Sequence, residues 1–402
     1  MLIQLVFKSG KNLSRFGKNL KLGINNFHTT GAYNSYHLEY SPNASLDKSM
    51  LDRYLCLPIP ECKCQAKYVW IDGTGENVRS KTRTLDYVPQ TYKDCPNWTY
   101  DGSSTLQATG VDSDLYLCPC ALYNDPIRRG NNKLVLCEVY NTDHSPSKTN
   151  HRAACVEALN KICDKEPMFG FEQEYNLMDV DNRPYGWPAM LGQPAPAGPY
   201  YCGVGAAKAY GRVIVESHYR ACLYAGISIY GTNAEVIPAQ WEFQIGTVMG
   251  IKAADDLWMG RFLLCRIAED FGIEISFDPK LFPNWNGAGC HANISTKGMR
   301  AEGGIKEIEK ALCLLEKRHK EHIKVYDPKG GKDNRRRLTG KHETSSVDKF
   351  TSAVASRGTS VRINRLVAEA KRGYLEDRRP AANCDPYAVM NALVRTILLG
   401  EK

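Results

Sequence analysis

The chain has 402 residues, 43% hydrophobic and 24% charged, the balance of a globular protein with one or two domains and a real core. No run of eighteen or more apolar residues occurs, so the sequence predicts no membrane insertion. The net charge is +8, but Lys8, Lys11, Arg15, Lys18 and Lys21 supply five of those charges before the first acid, Glu39, and the body lacks the basic, aromatic-laced surface of a nucleic-acid binder.

The first 38 residues place Leu2, Leu5, Val6, Leu13, Phe16 and Leu20 near helical spacing among bases. A basic, amphipathic, acid-free leader reads as a cleaved mitochondrial presequence, with the mature chain in the matrix. The alternatives are a basic tail that addresses nothing and a cytoplasmic protein. SLDKSMLDRYLCL then reads as a helix with Ser45 as N-cap, stopped by Pro58 and Pro60. CQAKYVWIDG and VRSKTRTLDYV read as a strand hairpin turned at Asp72-Gly73, NWTYDGSST as a polar loop, and YLCPCALY and KLVLCEVY as further strands. Together they predict a small, mostly β N-terminal domain over 39–142, ahead of a larger domain over 147–402.

In the larger segment, RAACVEALNKIC has helical spacing and MFGFEQEYNLMDV reads as a strand. GWPAMLGQPAPAGPYYCGVG is too rich in Pro and Gly to be regular. VESHYRACLYAG predicts a helix, AEVIPAQWEFQIG a strand, and KAADDLWMGRFLLCRIAEDFG an amphipathic helix. ISFDPK, CHANIST and SVRINRLV predict strands, separated by the helix GIKEIEKALCLLEKRHKEHIKVY. PYAVMNALVRTILLG is a final helix. The class expected is α+β. The fifteen cysteines are odd in number and include no C-x-x-C. They read as reduced, mostly buried thiols rather than a disulfide frame or zinc site.

No Walker loop occurs, and Gly203-Val204-Gly205 lacks both the third glycine and a preceding strand. The chemistry-bearing pattern is different: polar residues two apart on strand-like segments, which a strand sends to one face. Glu172 and Glu174 do this, as do Gln240, Glu242 and Gln244, then His291, Asn293 and Ser295, then Glu376 and Arg378, with Glu235 just ahead of one strand. Any one such pair is ordinarily a solvated face. If these strands share a sheet, crowded carboxylates raise one another's pKa unless cations neutralise them. Oxygen-rich ligation favours Mg2+ or Mn2+ over Zn2+. Arg335, Arg336, Arg337, Arg357 and Arg362, in or beside Gly-rich segments, add guanidinium forks suited to carboxylate and phosphate oxygens. The 335–337 run also reads as a solvated basic loop.

IDGTGENVRSKTRTL, NWTYDGSST, FGFEQEY, NWNGAGCHANIST, LTGKHETS and YLEDRRPAANCDPY, in this order, resemble the eukaryotic-type (class II) glutamine synthetases over roughly residues 50–400. The resemblance implies a β-grasp-like N-terminal domain and a catalytic domain with a curved antiparallel sheet flanked by helices. It implies ATP-dependent ligation of ammonia to glutamate through γ-glutamyl phosphate, a mitochondrial isoform, and a decamer of two pentameric rings with active sites between neighbouring subunits. By motif, Glu174, Glu235 and Glu242 hold the metal near glutamate, and Glu172, His291 and Glu376 the metal on the ATP phosphates. Asn293 and Ser295 sit by the nucleotide, and Asn286, Gly287, Arg337 and Arg378 bind glutamate. Arg357 and Arg362 meet the phosphates, Glu343 closes the site, and Asp101 of a neighbouring subunit takes the ammonium proton.

The chain departs from that pattern after QIG, in a DPKLFPNWNG one residue short, at Asn364 where the family has proline, and in a short C-terminal tail. A γ-glutamyl ligase for another amine would alter YDGSST, and a non-catalytic relative would lack a metal or phosphate ligand; neither change is present. A guanidino kinase fails on the E-x-E, HETS and YDGSST segments.

Overall fold

The computed structural model describes residues 43, 46–179, 182–187 and 198–401. The expected presequence, the Ser45 cap and most of the Pro/Gly-rich loop lie outside those residues. The first described helix, α1 (Ser49–Leu55), has Lys48 at its N-cap with no side-chain cap.

The first sheet joins β1 (Cys64–Ile71), β2 (Val78–Leu85), β3 (Trp98–Asp101), β4 (Asp114–Asn124) and β5 (Lys133–Tyr140) in the order β2-β1-β5-β4-β3. β1 and β2 form the expected antiparallel hairpin, and β1 pairs β5 in parallel. One correction concerns NWTYDGSST, expected as a loop. Its first half is β3, paired antiparallel to β4, and only Gly102–Thr105 turns, as a 3-10 helix. Aromatic packing explains the strand: Trp98 meets Tyr68 edge-on at 5.4 Å, and Tyr100 lies 4.7 Å from Trp70.

The second sheet runs β11-β12-β13-β10-β6-β8-β7, with β9 paired to β6. Its strands are β6 (Met168–Met178), β7 (Ile229–Ala234), β8 (Gln240–Met249), β9 (Glu274–Ser276), β10 (Cys290–Ser295), β11 (Ser352–Val354), β12 (Val361–Ile363) and β13 (Leu375–Asp377). All pairs are antiparallel except β11 with β12. The chain is thus a mixed α+β protein. The expected single strand AEVIPAQWEFQIG is replaced by β7, a turn at Glu235–Ala239 and β8. Ala239 takes a positive φ of 57° in that turn, which no strand interior tolerates. SVRINRLV is likewise only β12, followed by α9 (Arg365–Ala370). Asn364 caps α9 by accepting from Leu366 N at 3.0 Å.

Helices α2 (His151–Asn160), α3 (Arg212–Ala225), α4 (Lys252–Phe271) and α10 (Pro386–Val394) bury their apolar stripes in one core with the second sheet. α4 is the most enclosed, with Leu257, Trp258, Met259, Leu263 and Leu264 all at 1% exposure or less; each such side chain contributes roughly 1.5–3 kcal/mol of burial. Val69, Leu134 and Leu136 of the first sheet join this core, while its other side closes a smaller cluster around Tyr68, Leu117 and Val135. The remaining helices are α5 (Lys297–Arg300), α6 (Ile305–Lys317), α7 (His319–Val325) and α8 (Lys332–Arg337). All fifteen cysteines are free thiols, eight of them buried.

Candidate active site

Register builds the site. On β6, Glu172 stands opposite His291 of β10 and Glu174 opposite Glu242 of β8. β13 then places Glu376 opposite both Asn293 of β10 and Arg362 of β12. Glu235 arrives from the turn between β7 and β8 and accepts from Asn233 Nδ2 at 2.9 Å. Two donor triplets result, Glu172/Glu242/His291 and Glu174/Glu235/Glu242, each with its donor atoms within 4.8 Å of one another. Glu242 therefore belongs to both. Glu376 stands 3.8 Å from His291 Nδ1, and Glu172 stands 3.3 Å from the same atom.

The electrostatics are those of a crowded, largely buried anionic cluster. Burial, and then Glu174, push the Glu235 carboxyl up to about 8. Burial followed by Glu172, Glu235 and Glu174 raises Glu242 well above the ordinary carboxylate range. Burial drives His291 down to about 3, so its imidazole is neutral and its lone pair is free to ligate. Five carboxylates and one imidazole on one face form the donor set of a hard divalent cation, so the residues present fit one. Glu174 is oriented by Gly289 N at 2.6 Å, and Glu172 by Asn293 Nδ2 at 2.9 Å.

Arginines rim the carboxylates. Arg362 reaches Glu376 at 3.0 Å and Arg378 reaches it at 2.6 Å. Arg337 is buried and donates to the carbonyls of Arg378, Arg379 and Pro380 at 3.1 to 3.3 Å. Burial lowers it to about 10, which leaves it charged at neutral pH. Asn286 is buried, its Oδ1 without a partner among the described residues, and the Gly287 carbonyl accepts from Gln240 Nε2. Arg357 lies 3.6 Å from Glu343 and donates to Tyr201 Oη at 3.2 Å. His342 and Glu343 both hold positive φ, 52° and 61°, a strained turn of the kind that gathers at functional sites.

Two expected members stand apart. Ser295 donates to the Gly373 carbonyl at 2.6 Å. Asp101 belongs to the first sheet, is exposed, and accepts from Ser103 and Ser104 of its own turn. Those hydroxyls and the Ser103 N–H hold its carboxyl near 2.

Sequence reasoning missed three supports. Tyr201 clamps Arg357 by hydroxyl and ring, the ring 5.1 Å away; its only signal was an aromatic pair in an irregular segment. Buried Arg261 fixes Gln173, between the two β6 glutamates, at 2.6 and 2.8 Å. Gly289 lies where a Cβ would come within 2.2 Å of Arg337 Nη2; GAGCH signalled close approach without naming the neighbour.

Known proteins resemble this chain over most of its length. Residues 151–307 match the family model described as the glutamine synthetase catalytic domain. Glutamine synthetase 2 cytoplasmic of Drosophila melanogaster is 60% identical over 365 residues, 90% of this chain and 99% of that protein. The chain belongs to the glutamine synthetase family. Glutamine synthetase 1, mitochondrial, of the same organism is also 60% identical, over 91% of this chain and 92% of that protein. Glutamine synthetase of Homo sapiens is 57% identical over 90% and 96%. The relatives thus include both mitochondrial and cytoplasmic proteins.

Proposed function

We propose that the carboxylate face of the second sheet joins ammonia to the side-chain carboxylate of glutamate, consuming ATP, by way of γ-glutamyl phosphate. The activity is that of the family, a glutamate–ammonia ligase. The observation that carries the reading is the convergence of Glu172, Glu242 and His291, and of Glu174, Glu235 and Glu242, as two triplets that share Glu242, each with donor atoms within 4.8 Å, with Glu376 and guanidinium groups at the rim.

Glu174, Glu235 and Glu242 would hold one divalent ion, Mg2+ or Mn2+, and Glu172, His291 and Glu376 a second. When bound, these ions offset the charge of the carboxylates and of the phosphate oxygens. Asn286, Gly287, Arg337 and Arg378 bind glutamate, whose carboxylates match the guanidinium forks. Asn293 and Ser295 sit by the nucleotide. Arg357 and Arg362 meet the phosphate in flight, where little covalent help is needed beyond position and positive charge. Phosphorylation converts a poor electrophile into one with a good leaving group. Glu343, on its strained turn, closes the site and keeps water from the acyl phosphate.

Asp101 acts from a neighbouring subunit of a decamer. A carboxylate near 2 attracts ammonium well but takes its proton poorly; burial at the subunit contact supplies the upward push. The assignment of 39–142 as a β-grasp-like domain, 147–402 as the catalytic domain and the mitochondrial matrix as the address belongs to the same reading.

The test is ATP-dependent glutamine formation from glutamate and ammonium with magnesium or manganese, on protein starting near residue 40, beside Glu174→Ala and Asp101→Ala. Glutamine from the unaltered protein, with sharp loss in both variants, supports the scheme. No glutamine from a folded oligomer would replace it with a structural relative.

A further inference from the structure

The arginine run 335–337 leaves two members outside the catalytic face. Successive residues of a helix point about 100° apart. α8 accordingly buries Arg337 and leaves Arg335 and Arg336 exposed. There they line a groove of about 710 Å3 together with Lys320, Lys324 and Lys332. Against these five cations the lining offers, among the described residues, one acid, Asp348. The groove and the catalytic cleft share helix α8 but no lining residue.

The positive charge there is only partly matched. Arg336 is held by Asp278 at 3.0 Å and Asp333 at 2.8 Å, and Arg335 reaches Asp348 at 3.4 Å. Lys320, Lys324 and Lys332 have no hydrogen-bonding or ion-pair partner among the described residues. Lys320 and Lys324 are four apart on α7, a spacing at which like charges repel. Unmatched charge in a concave wall concentrates anions, and this volume is of small-molecule size.

The lining also narrows the ligand. Among the described residues no aromatic side chain lines the groove, so none of them stacks a nucleobase there. Its apolar members, Ile323 and Val347, are buried and offer no anchor for a peptide side chain. The unmatched lysines, on α7 and α8, bring three positive charges to one groove, which a multiply charged anion balances better than a singly charged one. We propose that this groove binds a small polyphosphorylated anion at a site separate from the catalytic one, with Lys320, Lys324 and Lys332 as its phosphate contacts.

Titration calorimetry with inorganic tripolyphosphate tests this on the full chain saturated with magnesium ADP, which fills the nucleotide site. The expected result is one tripolyphosphate per chain, bound less tightly as salt is raised. The double variant Lys324→Gln/Lys332→Gln should weaken binding about tenfold or more while glutamine formation is unchanged. Lys306→Gln, on α6, should bind as the unaltered protein does. Equal affinity in the double variant overturns the proposal, as does the loss of all tripolyphosphate binding once ADP is present. Saturable binding of an acidic peptide or an RNA oligomer where tripolyphosphate does not bind also overturns it, and makes the groove a macromolecular contact.

Discussion

Replacing Gly289 by alanine tests whether the site depends on backbone closeness as much as on its ligands. The new Cβ would stand 2.2 Å from Arg337 Nη2, 2.9 Å from its Cζ and 3.0 Å from His291 Nε2. Ordinary contact requires the guanidinium to retreat by about 1 Å. It has little room to do so, because the same group is held by the carbonyls of Arg378, Arg379 and Pro380. Overpacking of this kind costs about 1–3 kcal/mol of stability. The displaced groups are the guanidinium proposed to bind glutamate and the imidazole proposed to hold a metal, and a shift of that size at a reacting centre costs on the order of 100-fold in rate. The assay is kcat/KM for glutamate at saturating ATP and ammonium, with the thermal midpoint measured alongside. The expected pattern is a fall of about 100-fold in kcat/KM with a folded oligomer retained. A Gly289→Ala enzyme with unaltered kcat/KM and midpoint would refute the steric argument.

The metal-free protein should lose stability as pH rises from about 4.5 to about 8, because Glu235 keeps in the native state a proton that the unfolded chain has already released. By the same linkage, Mn2+ should bind more tightly at pH 8.5 than at 6.5 and release protons on binding; pH-independent affinity in titrations at the two values would contradict the assigned ligands. Asp377→Asn leaves the fully buried Arg379 guanidinium, now 2.7 Å from Asp377, without its counter-charge, and should cost about 3–5 kcal/mol in denaturant titration. An unmoved midpoint would mean that the pair contributes nothing. Tyr201→Phe removes the hydroxyl that positions Arg357, a loss of about 1 kcal/mol, read as a roughly fivefold fall in kcat; if Arg357 needs no positioning, kcat will stay level and only Arg357→Ala will lower it.

The alternation of Glu172 with Glu174, and of His291 with Asn293, is legible in the sequence alone, because a strand's period of two fixes which side chains share a face. Long apolar periodicity identifies α4 and the hairpin of β1 and β2 for the same reason: local geometry writes itself into local pattern. β3 is hidden because its partner strand lies beyond the turn that follows it, and because polar Asn, Thr and Asp outweigh Trp98 and Tyr100 in a local reading. β7 is hidden by Gly231 and Asn233, which interrupt its apolar alternation. Asn364 is legible as a departure, but its service as the cap of α9 is not.

By itself the sequence determined the donor types, their spacing on each strand, and the order of motifs that places the chain among glutamine synthetases. Only tertiary structure decided which strands become neighbours. That choice puts Glu242 in both donor triplets and sends Arg337 inward while Arg335 and Arg336 face a separate groove. It also sets Gly289 against Arg337 across a gap too narrow for a methyl group. The physical reason is that register and close approach arise between segments distant in the chain. Burial then shifts Glu235 and His291 in opposite directions, because desolvation penalises whichever form carries charge.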